Sequence, residues 1–534
     1  MYRFLYLLIL GIAYQLTLVA ETTSKKKAPN ILFAFADDWG RFASAYQKTE
    51  REGSLQEVIH TPTFDQVAKK GVLFKHAFVT APSCTPCRSS LLSGQYFFRT
   101  GMGAILQGAR WDASIPSFPL ILRDAGYHIG QTYKVWTPGS PSDGPYGARA
   151  YEYESQGRRF NQFSQNVTRM MSRGLTVDEA KNVLFEEVLG NLESFLEARP
   201  DGAPFCYWFG PTLVHRKWVQ GSGKKLWGID PDRLKGRMPK FLPDVPVVRE
   251  DLADYFGEIQ AFDTALGLIL RRLREMGELE NTVVVVSGDH GAPGFPNGKC
   301  NLYDFGTAVP LAIHWPGQPG GRVVEDFVNL MDLAPTLIDM AGLRVPSIMT
   351  GRSLVPQLSS EKQGWIDPSR DWVITGRERH VAKARDGGLP YPQRALRTKD
   401  YLYIHNFEPA RWPFGDPINL DGPKEPSLEE LTQNTFATFG DCDASPTKAF
   451  LVSQRKSHEF GKLYEMAFLP RPREELFLLK SDPDQVKNLA YEPAYLAIKE
   501  KLRRQLMVEL RRVGDPRVVE NPPRYEKPPY AGLN

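Results

Sequence analysis

The sequence predicts an α/β fold: a large mixed, mostly parallel β-sheet flanked by helices, followed by a smaller C-terminal α+β domain with an antiparallel sheet. Three observations carry this. The runs at 30–36, 205–209 and 282–287 are apolar on both faces, as central strands of a covered parallel sheet are. Helical patterns alternate with such runs up to about residue 345. Beyond about 375 the runs shorten and turns crowd between them. A chain of 534 residues is also too long for one ordinary core and suggests two domains.

The N-terminus carries Arg3 and then an apolar stretch over 4–20. That is the layout of a signal peptide, with 21–28 as a linker containing Lys25, Lys26 and Lys27. Export is therefore expected, to a periplasmic, extracellular or lysosome-like compartment depending on the host. Cys84, Cys87, Cys206, Cys300 and Cys442 are few for an exported chain of this size, so a disulfide framework is not what holds it together. Asn166-Val167-Thr168 is a glycosylation sequon. A net charge of +4 is weak for this length, and no basic run dominates. Both facts argue against nucleic acid as a partner.

The first strand ends in Asp37-Asp38. Adjacent carboxylates repel unless something positive neutralises them, so a hard cation is their natural partner. A helix over 61–70 and a strand region over 72–79 follow. A helix over 118–125 and a strand after Gly126 then lead to Lys134. Residues 138–180 read as an irregular excursion, 177–197 as a helix, and the strand at 205–209 leads to His215. The longest helical signal is 250–276, where Leu252, Phe256, Ile259, Phe262, Leu266, Ile269 and Leu273 keep 3–4 spacing. The strand at 282–287 ends in Gly288-Asp289-His290-Gly291, and Lys299 follows. A strand at 310–315 and a helix at 331–341 complete this part. The second part shows short strands at 372–374, 394–397, 401–404 and 475–479 and a closing helix at 495–512. Residues 408–455 offer little periodicity, and the tail from Pro516 reads as extended.

One stretch stands out for its chemistry. Cys84 sits four residues before Arg88, with Pro86 between them, and Ser89 to Gly94 reads as the start of a helix. A nucleophile at a helix N-terminus beside a permanent cation is placed to hold an anion and attack it. The C-x-x-C spacing of Cys84 and Cys87 also fits a redox motif or half a zinc site, but no second C-x-x-C exists. Asp37-Asp38, Cys84 to Arg88, Lys134, His215, Asp289-His290 and Lys299 all lie at or just after predicted strand ends. In a doubly wound sheet those ends share one edge. The sum of charges suits a divalent metal plus a small tetrahedral anion.

Cys84-Thr85-Pro86-Cys87-Arg88, followed by Ser89-Ser90-Leu91-Leu92-Ser93-Gly94, resembles the C-x-P-x-R signature of the sulfatase family. The likeness runs over nearly the whole mature length. It includes Pro29-Asn30-Ile31-Leu32, Thr61-Pro62-Thr63-Phe64-Asp65, Gly126-Tyr127 to Lys134, Asp332-Leu333-Ala334-Pro335-Thr336, Thr350-Gly351-Arg352-Ser353-Leu354 and Glu475-Leu476-Phe477. Phe295-Pro296-Asn297-Gly298-Lys299-Cys300-Asn301 with Gly306-Thr307-Ala308-Val309-Pro310 is similar to the sulfamidase, or heparan N-sulfatase, branch.

The resemblance implies an alkaline-phosphatase-like superfold, with a catalytic domain over 29–375 and a smaller domain over 376–534. It implies that a formylglycine-generating enzyme oxidises Cys84 to formylglycine (3-oxoalanine). Asp37, Asp38, Asp289 and His290, with modified Cys84, would bind one Ca²⁺. Arg88 would hold the hydrated aldehyde, Lys134 and Lys299 would bind sulfate oxygens, and His215 would protonate the leaving atom. Arg377 and His380 would reach the sugar from the second domain. The implied activity removes sulfate from a sulfated saccharide, first an N-sulfoglucosamine, with an O-sulfated polysaccharide as the alternative. A phosphoric ester or phosphonate hydrolase of the same superfold and an inactive glycan-binding relative also stay open, as does a homodimer.

Two departures from the family pattern are visible. His290 stands where the sulfamidase branch usually has asparagine. Lys134-Val135-Trp136 puts tryptophan where the family's K-x-H has a histidine that assists the formylglycine. Either another residue substitutes, or the branch works without it, or turnover is weak. Trp136 itself reads as a wall of the pocket.

Overall fold

The computed structural model describes residues 28–532 apart from 142, 143 and 148. The expected signal peptide and all but the last residue of the linker lie outside the described residues. Among the described residues no helix is long and apolar enough to cross a membrane.

The larger sheet has seven strands. They are β1 (Asn30–Ala36), β2 (Val72–Phe78), β3 (His128–Tyr133), β4 (Phe205–Gly210), β5 (Thr282–Gly288), β6 (Leu311–His314) and β7 (Arg322–Asn329). Their order is β3-β4-β1-β5-β6-β2-β7. Only β6 runs antiparallel to its neighbours; all other pairings are parallel. The C-terminal ends of β1 to β5 therefore open on one edge of the sheet.

Both faces of that sheet are covered, and β1 shows why its sequence is apolar throughout. Leu32, Ala34 and Ala36 face one core, and Ile31, Phe33 and Phe35 face the other. The helix Pro246–Glu275 lines the first core with Leu252, Phe256, Ile259, Phe262, Leu266, Ile269 and Leu273, the stripe expected from their spacing. The helix Val177–Glu197 joins it, started by a capping box between Thr176 and Glu179. The second core takes Leu91 and Leu92 from the helix Cys84–Ser93, together with the helices Phe118–Asp124 and Leu333–Met340.

The second sheet is antiparallel, with strands β8 (Trp372–Arg377), β9 (Gln393–Thr398), β10 (Tyr401–Asn406) and β11 (Glu474–Leu478) in the order β11-β10-β9-β8. Leu502, Leu506 and Leu510 of the closing helix Leu496–Arg512 pack with Ile374, Leu396, Tyr403 and Leu476 of these strands. β8 begins before residue 375, so a boundary between 375 and 376 falls inside a strand; the second sheet starts at Trp372.

Several local expectations are corrected. β7 carries Glu325 and Asp326, which break its apolar run. It is an edge strand, and Glu325 reaches Lys75 at 3.0 Å while Asp326 accepts hydrogen bonds from Gln357, Ile366 and Asp367. The excursion over 138–180 contains the helix Phe163–Met171, and the stretch 408–455 contains Leu428–Gln433 and Pro446–Ser453. The tail from Pro516 opens with a short helix, Pro516–Val519. Asn166 of the sequon is buried and donates to the carbonyls of Arg159 and Gln162 at 2.7 and 2.9 Å, so its amide is turned inward, away from any glycan.

The long helix also buries acids. Burial pushes Glu258 up to about 8 and Asp254 up to about 7. A carboxyl raised in the folded state stabilises fully below its unfolded value, and that stability is lost as pH rises through the folded value. Urea unfolding at pH 5 and pH 8.5 is expected to show lower stability at the higher pH. Glu258→Gln narrows the gap; an unchanged gap contradicts the assignment.

Candidate active site

The site forms where β1, β3, β4 and β5 end beside the start of the helix Cys84–Ser93. β1 turns sharply after Ala36. Asp38 takes φ = 57°, and the turn is held by Tyr255, whose hydroxyl donates to the Asp38 carbonyl and accepts from Gly40 N–H. Tyr133, Asn297 and Cys300 also have positive φ. Such backbone is unfavourable for these side chains and is held by the surrounding structure. Each of the four is itself a site residue or adjoins the segment that carries one. After β5, Gly291 lies so close to the Phe305 carbonyl that a Cβ would meet it at 1.9 Å; only glycine fits beside His290 there.

Arg88 is fully buried. Its Nε donates to Asp289 and one Nη to Asp37, both at 2.9 Å, and the other Nη donates to the carbonyls of Lys134 and Val135. Four of its five N–H groups thus tie together the ends of β1, β3 and β5. Lys134 donates to both oxygens of Asp37 at 2.8 Å, and Lys299 to Asp38 at 3.0 Å. Three buried carboxylates face three buried cations. Burial opposes ionisation of Asp37, yet Lys134 and then Arg88 hold it well below the usual carboxylate range. Burial pushes Asp289 up, against the pull of His290 and Arg88.

Cys84 lies at the first position of its helix, with Sγ 3.4 Å from His290 Nε2 and 3.8 Å from Asp38 Oδ1. Burial, and then the charge of Asp37, push its thiol up, so a helix N-terminus does not make it a thiolate here. His215 Nδ1 donates to the Arg216 carbonyl at 2.6 Å, which turns Nε2 toward Asp38 Oδ2, 3.8 Å away. The Lys299 loop is tied to the Cys84 loop by Cys300 N–H donating to the Pro82 carbonyl at 2.8 Å. The structure thus brings together Asp37, Asp38, Cys84, Arg88, Lys134, His215, Asp289, His290 and Lys299 in one cluster, buried except for His215.

Residues 29–343, more than half of the chain, match the family model described as Sulfatase. The chain belongs to the sulfatase family. Residues 292–415 match the model described as N-sulphoglucosamine sulphohydrolase, C-terminal. Human N-sulphoglucosamine sulphohydrolase is 28% identical over 89% of this chain and 89% of its own length. An ulvan-active sulfatase of Formosa agariphila is 24% identical over 91% of this chain and 75% of its own length. Among solved structures, a protein in complex with its substrate D-glucosamine-2-N,6-O-disulfate aligns with a TM-score of 0.59 and 18% identity, covering 92% of this chain and 100% of the other. That likeness establishes the fold.

A sulfatase implies a metal, and the donor set of this sulfatase fits one. Atoms of Asp38, Cys84, Asp289 and His290 lie within 4.8 Å of one another, as do those of Asp37, Asp38 and His215. With His290 Nδ1 directed at the Gly291 carbonyl (3.2 Å), its Nε2 faces Asp38 Oδ1 at 3.2 Å. A neutral imidazole would then set one acceptor against another, which a cation between them resolves. Carboxylate oxygens are the donors a hard divalent ion takes.

Three expected assignments change. Arg377 does not reach a sugar. It is buried, and its guanidinium donates to the carbonyls of Cys300 and Pro413 and to Asp441. His380 is also buried; it bonds Ser83 Oγ, the N-cap residue before Cys84, through Nδ1 at 2.8 Å. Trp136 belongs to the apolar core: Nε1 donates to the Pro141 carbonyl at 2.7 Å and the ring packs edge-on against Trp111. The imidazole nearest Cys84 among the described residues is His290. Asp443, which sequence reasoning missed, lies 3.6 Å from Lys299 Nζ. It sits far from any strand end in an aperiodic stretch, and its one local mark is the pair of acids in Gly440-Asp441-Cys442-Asp443.

Trp136→His, which would restore the family's motif, is expected to lower stability by about 2–4 kcal/mol by opening a cavity in the core and to leave sulfate release no faster. Chemical denaturation with a turnover assay checks both; a faster and equally stable variant would contradict the core assignment.

Proposed function

We propose that this sulfatase hydrolyses the N-sulfate of glucosamine residues at the ends of glycosaminoglycan-type chains. The observation that carries the reading is the grouping of Lys134, Lys299 and His215 on Asp37 and Asp38 beside Cys84, in a chain whose Lys299 loop lies inside the tract matched to the N-sulphoglucosamine sulphohydrolase C-terminal model. The similarity to the human enzyme supports the same substrate class. The similarity to an ulvan-active sulfatase supports, as the second reading, an O-sulfate of another polysaccharide. Both clusters able to hold a metal contain Asp38, so among the described residues they form one locus, which favours sulfate over a phosphate chemistry built on two separate metals.

In this reading Asp37, Asp38, Asp289 and His290 hold Ca²⁺, which when bound supplies positive charge to the nucleophile and the sulfuryl oxygens. A formylglycine-generating enzyme converts Cys84, and the hydrated aldehyde supplies the attacking oxygen. Arg88 favours the ionised form of Asp37 and holds Asp37 and Asp289 in place. Burial is the largest influence on Lys134 and Lys299 and opposes their charge, but Asp37 with Asp289 around Lys134, and Asp38 with Asp443 around Lys299, help raise both above the ordinary lysine value, so they stay charged and bind the sulfuryl oxygens as charge develops there. His215, its Nδ1 proton fixed on the Arg216 carbonyl, gives an Nε2 proton to the departing nitrogen or oxygen. The apolar segment over 4–20 serves export.

The test is sulfate release from a panel of defined N- and O-sulfated saccharides by protein matured with a formylglycine-generating enzyme. N-sulfoglucosamine is expected to be the best substrate, and chelation of calcium is expected to abolish turnover until calcium is restored. Lys134→Ala lowers kcat by roughly 100- to 1,000-fold. Release only from O-sulfates moves the assignment to the second reading. Mass spectrometry of the Cys84 peptide from the native host showing only unmodified cysteine would sink the enzymatic reading and leave a glycan-binding relative.

A further inference from the structure

Segment 440–445 reaches the site from the second part of the chain and is pinned on both sides of Asp443. On one side Asp441 accepts from Arg377 at 2.5 Å, Arg385 at 2.8 Å and the Val381 N–H at 3.0 Å. On the other, Ser445 donates to the Gly294 carbonyl at 2.7 Å and Thr447 to Asp251 at 2.6 Å. The residue between is therefore delivered in a fixed place, on a loop that no longer needs its neighbours' side chains for contact with a ligand.

Asp443 Oδ2 stands 3.6 Å from Lys299 Nζ, the ammonium that also donates to Asp38. That oxygen is buried, and no hydrogen-bond donor among the described residues reaches it. Burial opposes its charge, but Lys299, then His215, His380 and Arg216, hold the carboxyl well below the usual range. The other nearby cation is committed: Arg216 donates to both oxygens of Asp251 and to the Pro293 carbonyl. Exposure then separates floor from rim. Cys84, Lys134 and Lys299 are 3%, 9% and 3% exposed, whereas the side chains of His215 and Asp443 are 33% and 19% exposed. His215 and Asp443 are thus the more exposed side of the cluster.

We propose that Asp443 is a specificity-determining carboxylate, which accepts hydrogen bonds from an unsulfated hydroxyl or amino group flanking the scissile sulfate and refuses a second sulfate in that place. The inference rests on the sulfatase reading above. A hydroxyl or an amine offers a donor to the exposed side of this carboxylate, whose Oδ2 is buried against Lys299; a sulfate offers only acceptors and a like charge. The chemistry of an N-sulfate suits the arrangement. In R–NH–SO₃⁻ + H₂O → R–NH₃⁺ + SO₄²⁻, the S–N bond breaks, an S–O bond forms, and water supplies the oxygen to sulfur and two protons to nitrogen. The leaving group becomes a cation beside a carboxylate.

The experiment compares wild type with Asp443→Asn and Asp443→Ser in the full, matured chain. The substrates are N-sulfoglucosamine, its 3-O- and 6-O-sulfated forms, and 4-nitrophenyl sulfate, which has no flanking donor. For Asp443→Asn, kcat/KM on N-sulfoglucosamine is expected to fall about 10- to 100-fold. That loss exceeds the loss on the aryl sulfate by about tenfold, and the preference against one disulfated sugar relaxes by a similar factor. Equal losses on sugar and aryl sulfate would overturn the proposal, since Asp443 would then act only by holding Lys299; so would no loss on the sugar. If the wild type releases sulfate from none of these, the sulfatase reading has failed, and calorimetric titration with glucosamine decides this inference separately. Binding lost in Asp443→Asn supports it, and equal or absent binding rejects it.

Discussion

The structure depends on a buried guanidinium. Arg88 lies between Asp37 and Asp289 with no exposure to solvent, at 2.9 Å from each. Removing one partner from such a cluster strands a charge in the interior, at roughly 3–5 kcal/mol. The geometry must therefore be met simultaneously by the ends of β1 and β5 and by the first turn of the helix Cys84–Ser93. This requirement accounts for much that looks unfavourable locally. Asp38 and Tyr133 adopt left-handed backbone, the residue after His290 must be glycine, and the three apolar strands β1, β4 and β5 pair in parallel register so that their ends align.

The same constraint explains why a thiol would be a poor reagent at position 84. The acids that suit a metal raise the thiol along with burial, and the three cations are already engaged by those acids. A group that attacks as a hydroxyl, rather than as a thiolate, is better matched to this surrounding. The chemistry implied by family membership and the electrostatics of the unmodified side chain point the same way from independent starting points.

The large sheet was legible because its strands are buried on both faces. Continuous apolar runs such as that of β5 have no other economical explanation, and the carboxylates and imidazoles just past them fall on one edge by topology alone. The long helix was legible from its stripe. β7 was not, because an edge strand with Glu325 and Asp326 satisfies half its surface through side-chain contacts and loses the pattern. Helices within 408–455 were hidden for a related reason: Pro446–Ser453 is only eight residues long, and beside Ala449, Leu451 and Val452 in a small apolar cluster it is fixed by polar bonds from Thr447 to Asp251 and from its N-cap Ser445 to Gly294. Arg377 and His380 look like free surface groups in a turn of charged residues. Nothing short of the fold reveals that Asp441 and Ser83 occupy them.

Arg377 nevertheless belongs to the logic of the site at one remove. By holding Asp441, it helps set Asp443 beside Lys299, so the second sheet is linked to the cluster through an ion pair and a two-residue step along the chain. The division of labour follows from what each part can supply. Strand ends of the parallel sheet are rigid and converge, which suits a metal and a nucleophile that tolerate little displacement. The loop from the second part is anchored at two points yet carries no strand register, so its acid is set by the clamp of Arg377 and Arg385 on Asp441. On the reading proposed above, reaction chemistry and recognition are housed on different elements that meet at one lysine, whose ammonium lies 3.0 Å from Asp38 on one side and 3.6 Å from Asp443 on the other.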